Sequence, residues 1–225
     1  MFRTINILST KLLRQDVFSL PPYSGVILEE CSFVQIDLNE NIILPSAQKV
    51  NAIVTSANAL KALKSISGQL PAFDTVYCIA GRTEALVKEY LNPVNIVARP
   101  YASGLLEVMI IVQHTYPLWF FRGNKALPTI PEGLQNAGIP FEAIEVYQNT
   151  ATPLVLNKDF DAILFFSPSA VESFLQNNYI HDNTITFAIG KTTAKALKPF
   201  AKKVVISKEP TEESVIKAVL EYFNL

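Results

Sequence analysis

Glycine and histidine are scarce in this sequence, and so is charge of either sign. The eight glycines never fall into Gly-x-Gly-x-x-Gly or a phosphate loop, so the backbone cradle that a nucleotide pyrophosphate requires is missing. The two histidines, His114 at a helix end and His181 in a polar loop, form no His-x-x-x-His pair and read as surface residues. No serine–histidine or cysteine–histidine arrangement can be argued, so a hydrolytic nucleophile has no partner. No metal-ligand spacing occurs. The formal net charge of −1 gives no support to a nucleic acid or a membrane surface as partner. Cys31 and Cys78 fall in different apolar stretches and read as buried, reduced thiols, which fits a cytoplasmic protein. No signal peptide is seen over Met1–Arg14. Leu105–Val112 is apolar but too short to span a bilayer, and Glu107 interrupts it.

What is present is apolar. With 49% hydrophobic and 17% charged residues over 225 positions, the chain has core material for one large domain or two small ones. Its most informative stretch is Asp161–Leu175. Ala162–Phe166 is an unbroken apolar run, as in a parallel strand buried on both faces. Ser167 then suits an N-cap and Pro168 a first helical residue, while Ser169 with Glu172 offers a second capping register. Val171, Phe174 and Leu175 give the helix one apolar face. Such a strand–turn–helix presents free N–H groups and a partial positive charge, which suits an anion.

The unit recurs. Ile53–Leu63 repeats it with Ser56 at the place of Ser167. Val76–Leu86 matches Ile185–Leu197, with Gly81 at Gly190, and the segment from Pro100 matches that from Pro210. Three matches at one offset of about 110 residues, in the same order, argue for two similar domains.

Taken in order, Thr4–Ser9 reads as a strand, followed by a weak helix around Leu12–Phe18 that Pro21-Pro22 closes, and Val26–Leu28 begins a second strand. Phe33–Leu38 alternates like a half-exposed ribbon. Thr83–Leu91 is a helix, Ser103 caps a helix over Gly104–His114, and Leu118–Phe121 is a buried strand. Thr129 with Glu132 forms a capping box for a helix ending at Gly138. Phe141–Tyr147 alternates again, Gln148–Thr152 is a polar connector, and Thr211 caps a last helix over Glu212–Phe223. Strands alternating with helices indicate parallel α/β sheets, doubly wound in the Rossmann-like or flavodoxin-like manner. Each repeat needs a preceding strand–helix–strand. Leu118–Tyr147 supplies it for the first copy and Thr4–Leu38 for the second. The expected organisation is a discontinuous α/β domain of residues 1–38 plus 152–225, an inserted α/β domain of 46–146, and connectors at 39–45 and 147–151. Ligands of such sheets bind beyond the carboxyl ends of the strands, and two such domains facing each other make a cleft.

Those strand ends share one chemistry. They are Ser9-Thr10-Lys11, Thr55-Ser56-Ala57-Asn58, Gly81-Arg82-Thr83, Arg122-Gly123-Asn124, Ser167-Pro168-Ser169 and Gly190-Lys191-Thr192-Thr193. Any one of them is an ordinary helix cap. Six together, four with a Lys or Arg, favour a polyanionic ligand.

The segments Phe166–Val171, Ile189–Leu197, Val54–Ala59, Arg122-Gly123 and Val146–Thr150, in this order and spacing, make the chain similar to the uroporphyrinogen-III synthases. The resemblance covers nearly the whole chain. It departs at two places: the family's first strand commonly ends Thr-Arg-Pro, where this chain has Thr10-Lys11-Leu12. The first glycine turn usually carries Thr three residues on, where this chain has Glu84 beside Thr83. The resemblance implies the swapped two-domain layout and a lyase of tetrapyrrole (heme) biosynthesis. The implied substrate is hydroxymethylbilane, a linear tetrapyrrole with eight carboxylates, cyclised with inversion of ring D through a spiro intermediate. No cofactor or metal is implied. Tyr147 matches the family's tyrosine, as proton donor or as polariser of the leaving hydroxyl; a buried strand tyrosine with a satisfied hydroxyl is the alternative. Carboxylate binding is expected from Thr10, Ser56, Ala57, Asn58, Gly81, Arg82, Thr83, Arg122, Gly123, Ser167, Pro168, Ser169, Gly190, Lys191, Thr192 and Thr193, partly through backbone N–H. The competing function is a non-catalytic two-domain receptor for a small anion. A monomer is expected, since no extra apolar helix seeks a partner.

Overall fold

The computed structural model describes residues 4–14, 25–39 and 41–224, and most of the helix expected over Leu12–Phe18, with Pro21-Pro22, lies outside them. The chain divides into two compact units, Met1–Gln35 with Thr150–Leu225, and Ile36–Asn149.

The first unit is built on strands β1 (Ile5–Ser9) and β2 (Val26–Glu30). The second is built on β3 (Val34–Leu38), β4 (Lys49–Val54), β5 (Ala72–Ile79), β6 (Asn95–Arg99), β7 (Leu118–Gly123) and β8 (Glu142–Ala151). Its helices are α1 (Ala57–Ser65), α2 (Arg82–Tyr90), α3 (Ala102–Ile111) and α4 (Thr129–Asn136). The chain then returns to the first unit with β9 (Ala162–Phe165), α5 (Pro168–Asn177), β10 (Ile185–Ala188), α6 (Lys191–Leu197), β11 (Lys203–Ile206) and α7 (Glu212–Phe223).

The two sheets repeat one strand order. The five-stranded sheet runs β11-β10-β9-β1-β2 and the six-stranded sheet β6-β5-β4-β7-β8-β3. In both, three strands with α/β connections occupy one side and a pair completes the sheet; β7 and β8 follow β6 directly in the chain, whereas β1 and β2 come from the far N-terminal segment. All pairings within β11-β10-β9-β1-β2 and β6-β5-β4-β7-β8 are parallel. The central strands are buried end to end because helices cover both faces. On one face of the larger sheet Leu60, Leu63 and Val87 pack against Val54, Trp119 and Phe121, and on the other Leu105, Met109, Ile130 and Leu134 pack against Ile53, Tyr77 and Phe120. In the smaller sheet Phe165, Val171, Phe174 and Leu197 form one layer and Leu164, Phe187, Val215 and Val219 the other.

Several helix starts follow the residues that predict them. Ser56, Ser167 and Thr211 cap α1, α5 and α7 by accepting the N–H groups of Asn58, Ala170 and Ser214, and Pro168 is the first residue of α5. The second capping register at Ser169 is not used. Two expected caps are corrected. Helix α3 begins at Ala102 with Tyr101 before it, so Ser103 lies inside its first turn, and Thr129 is the first residue of α4, not its cap. In both places the backbone turns helical one or two residues early, and neither cap residue accepts a side-chain bond. Strand β8 also runs past Tyr147 to Ala151, where a polar connector is expected. There it continues beside β3, and the Asn39 N–H donates to the Val146 carbonyl at 3.0 Å, a pairing of distant segments that periodicity does not register. Cys31 is half-buried rather than buried. His114 is half-buried too, with its Nε2 2.9 Å from the Met109 carbonyl and its ring edge-on to Tyr77.

Candidate active site

Three candidate residues of the second unit meet at the carboxyl edge of its sheet. Ser56 follows β4, Gly123 ends β7 and Tyr147 lies on β8, and these strands are neighbours in the order β8-β7-β4. Strands β4 and β8 are thus two spacings, roughly 10 Å, apart, and a tyrosine side chain spans the gap only by crossing the strand between. It does so at Gly123, where an added Cβ would lie 2.4 Å from the Tyr147 Cζ and 2.8 Å from its hydroxyl oxygen. Beyond Gly123 the phenol donates a hydrogen bond to the Ser56 Oγ at 3.2 Å. The same Oγ accepts the Asn58 N–H at 3.1 Å, as the cap of α1.

A register shift aims the tyrosine. Arg122 pairs with Glu145 and Gly123 with Tyr147, so β8 carries one extra residue at this point. A bulge of this kind turns a side chain out of the strict alternation. It lets buried Val146 and half-buried Tyr147 both pack against the same core layer. Two asparagines clasp the bulge. The Asn124 N–H donates to the Tyr147 carbonyl at 3.3 Å, the Asn149 N–H to the Asn124 Oδ1 at 2.8 Å, and the Asn124 Nδ2 to the Asn149 carbonyl at 3.4 Å. Asn149 is the contributor that sequence reading passes over, since no local pattern joins residues 25 apart.

The other candidates are less uniform. The Arg122 guanidinium folds back onto the Gly123 and Asn124 carbonyls at 3.0 and 3.3 Å. Gly81, at φ +88°, turns the chain from β5 into α2, and Arg82 is exposed while Thr83 is buried. Glu84 stands in the first turn of α2, where its carboxylate takes a hydrogen bond from the Gly81 backbone and pairs with Lys88 at 2.6 Å. The Lys88 hydrogen bond, ahead of the other influences, holds the Glu84 carboxyl below its ordinary value. That helix start already carries its own anion.

In the first unit, Ser167 and Pro168 open α5, and Ser169 is half-exposed in its first turn. Gly190 precedes α6, Lys191 and Thr192 are exposed, and Thr193 is only 1% exposed. Thr10 is likewise 1% exposed, and its hydroxyl donates to the Leu164 carbonyl at 2.7 Å. Lys11 Nζ sits 2.5 Å from the Glu212 Oε1 and 5.5 Å from the centre of the Phe166 ring, so its charge is matched within the unit. At the opposite, amino edge of this sheet lies a hollow of about 340 Å³ lined in part by Lys158, Asp159, Tyr179 and His181. No helix start opens into it, and His181 is committed to Asp159 at 2.6 Å. The carboxyl edges are therefore the better candidates.

Among the described residues no three acidic, histidine or cysteine side chains converge as a metal site, and no helix is long and apolar enough to cross a membrane.

A family model described as uroporphyrinogen-III synthase HemD matches residues 37–217. A search of curated proteins finds no match. Among solved structures, the uroporphyrinogen-III synthetase of Helicobacter pylori 26695 is similar with a TM-score of 0.68 at 17% identity, over 97% of this chain and 100% of that one. A mutant uroporphyrinogen III synthase of the extremely thermophilic bacterium Thermus thermophilus is similar with a TM-score of 0.63 at 13% identity, over 98% and 99% of the two chains. At such identities the likeness concerns the fold. The family match, which takes in every candidate residue except Thr10, rests on sequence and spans well over half of the chain: the protein belongs to the uroporphyrinogen-III synthase HemD family.

Proposed function

We propose that the protein is a uroporphyrinogen-III synthase that dehydrates hydroxymethylbilane and closes it with ring D inverted. The observation that carries this reading is the family match over residues 37–217. The reaction asks little covalent chemistry of the protein. The terminal hydroxyl leaves as water, the resulting azafulvene is attacked by the substituted carbon of the last pyrrole, and the spiro intermediate fragments and recloses. The protein must protonate the leaving oxygen and hold the chain curled, because spontaneous closure gives the uninverted isomer. Tyr147 is the residue for the first task, since a phenol keeps its proton at neutral pH. Its hydroxyl ends at the carboxyl edge rather than in the core, on a bulge clasped by Asn124 and Asn149.

Carboxylate binding falls to donors at the strand ends of both sheets: Ala57 and Asn58, Arg122 and Gly123 in the second unit, Ser167 to Ser169 and Gly190 to Thr193 in the first. At Thr193, Ala57 and Gly190 only the backbone N–H is offered, so side-chain deletions there act weakly. Thr10, with its hydroxyl on Leu164, supports the edge from beneath, and at Gly81 to Thr83 an incoming carboxylate competes with Glu84 for the helix-start N–H groups. No cofactor is required by this chemistry. The working form is a cytoplasmic monomer.

The test supplies freshly generated hydroxymethylbilane, oxidises the products and separates the uroporphyrin isomers. Dominant isomer III, against isomer I without protein, is the expected outcome. Isomer I alone from folded protein would leave a small-anion-binding protein instead. Tyr147→Phe should lower turnover roughly 10²-fold with the fold intact by circular dichroism.

A further inference from the structure

We propose that Tyr147 passes its proton through Ser56, so that the serine hydroxyl is the group that meets the leaving oxygen; this rests on the synthase reading above. A hydroxyl has one donor and two acceptor lone pairs. The Ser56 Oγ accepts from the Tyr147 O–H at 3.2 Å and from the Asn58 N–H at 3.1 Å, which fills both lone pairs. What Ser56 has left is its own O–H, and no acceptor for it stands among the described residues. The Tyr147 oxygen is in the reverse position. Its proton is engaged, and only lone pairs remain to face a substrate. With this pattern in place, a hydroxyl arriving at the edge can receive a proton from Ser56 and not from Tyr147.

The geometry explains why both residues are needed. An alkanol is a poor acid, and it gives up a proton readily only if another arrives at the same oxygen. A phenol is a far stronger acid than an alkanol, and the Tyr147 hydroxyl supplies that proton. In the first step the bond from the terminal methylene carbon to its hydroxyl breaks. The oxygen leaves as water with the Ser56 proton, the Tyr147 proton moves to Ser56, and the electron-rich pyrrole becomes an azafulvenium cation beside a phenolate. When the last pyrrole has closed the ring and loses its carbon-bound proton, that proton returns through Ser56 to the phenolate. The balance is one substrate in, one water and one macrocycle out, with both hydroxyls restored.

The residues that set this up lie on one helix start and two strands. Asn58 holds Ser56 as a helix cap, Gly123 leaves the lane for the ring, and the bulge at β8 turns Tyr147 into it.

The decisive experiment measures single-turnover rates for Ser56→Gly, Ser56→Thr, Tyr147→Phe and the Ser56→Gly/Tyr147→Phe double variant, in water and in mixtures with heavy water. Glycine is an accepted helix cap, so Ser56→Gly removes the hydroxyl without removing the helix start. Should it still fail to fold, Ser56→Thr carries the test. Ser56→Gly and Tyr147→Phe should each slow the reaction roughly 10²-fold, with substrate KM little changed. The double variant should be no slower than either single one, and Ser56→Thr should stay within a few-fold of wild type. The wild-type rate should bend below a straight line against deuterium fraction, because two protons move together. A slow Tyr147→Phe beside a fast Ser56→Gly would overturn the relay and leave Tyr147 as the direct donor. So would singles that multiply in the double variant, a slow Ser56→Thr, or a linear wild-type isotope response. An unimpaired Tyr147→Phe beside isomer III from wild type would bring down the relay alone, whereas isomer I from wild type would bring down the underlying reading and the relay with it.

Discussion

Gly123 is sensitive to one added atom. Its missing Cβ leaves the space through which the Tyr147 ring passes, at 2.4 Å from where that carbon would stand. Gly123→Ala is expected to cost about 1–3 kcal/mol through overpacking and to swing the phenol off Ser56. In a Tyr147→Ala background the same substitution should cost little, since the clash is gone. A denaturation cycle over the four proteins measures that coupling directly. The two thiols separate at this scale as well. Burial first, then the nearby Glu84, pushes the Cys78 thiol up to about 11, whereas half-buried Cys31 is raised by burial and Glu29 without a comparable displacement. Native protein at about pH 8, near the ordinary thiol range, should therefore release Cys78 to a thiol reagent only on denaturation; labelling of Cys78 as fast as Cys31 would refute it. At the residue level the sequence marks Ser56 as a cap and Tyr147 as a candidate acid. It does not show that they touch, because 91 residues and an intervening strand separate them.

Helices and strands are legible in the sequence where local chemistry alone decides them. Ser167 and Pro168 predict the start of α5, and its cap hydroxyl accepts the Ala170 N–H at 3.1 Å. Ser167→Ala should accordingly cost about 1 kcal/mol in urea denaturation. Thr129 makes no capping bond at the start of α4, so Thr129→Ala should stay within about 0.5 kcal/mol. Equal losses at the two positions would mean that the α5 cap contributes nothing special. Gly81, at φ +88° with open space around it, should lose roughly 1–2 kcal/mol on substitution by alanine for reasons of backbone strain alone. Boundaries fail where tertiary contacts choose among locally similar options. Ser103 and Thr129 each stand one or two residues from the true cap, and β8 outruns its alternating pattern because it lies beside β3, a segment far away in the sequence.

Across the first unit, Glu212 ties the two halves of the chain together. It is 5% exposed in the first turn of α7 and meets Lys11 Nζ at 2.5 Å and the Arg14 N–H at 3.2 Å, 201 and 198 residues away in sequence. Burial, the largest single influence, raises its carboxyl, but the Lys11 and Arg14 hydrogen bonds and charges together bring it below the ordinary value. A carboxyl lowered in the folded state contributes stability that is fully present above its unfolded pKa, about 4.3. That contribution disappears as the pH falls through the lower, folded value. Wild type should thus lose more stability than Glu212→Gln as the pH drops below about 4.3, and parallel melting curves for the two proteins over that range would remove Glu212 from the acid transition. By itself the sequence determined the strand–turn–helix units, their repeat, the apolar layers on both faces and the donor-rich strand ends. All of these depend on neighbours within a few turns of chain or on periodicity. Only the tertiary structure decided the register within the sheets, with an extra residue of β8 opposite Gly123 and β3 added beside β8 at the edge. It likewise decided that Thr10 and Lys11 have their polar groups matched within the unit, and that Tyr147 crosses Gly123 to reach Ser56. Strand order and bulges set which distant residues share an edge, and such pairings leave no mark in the local pattern of either partner.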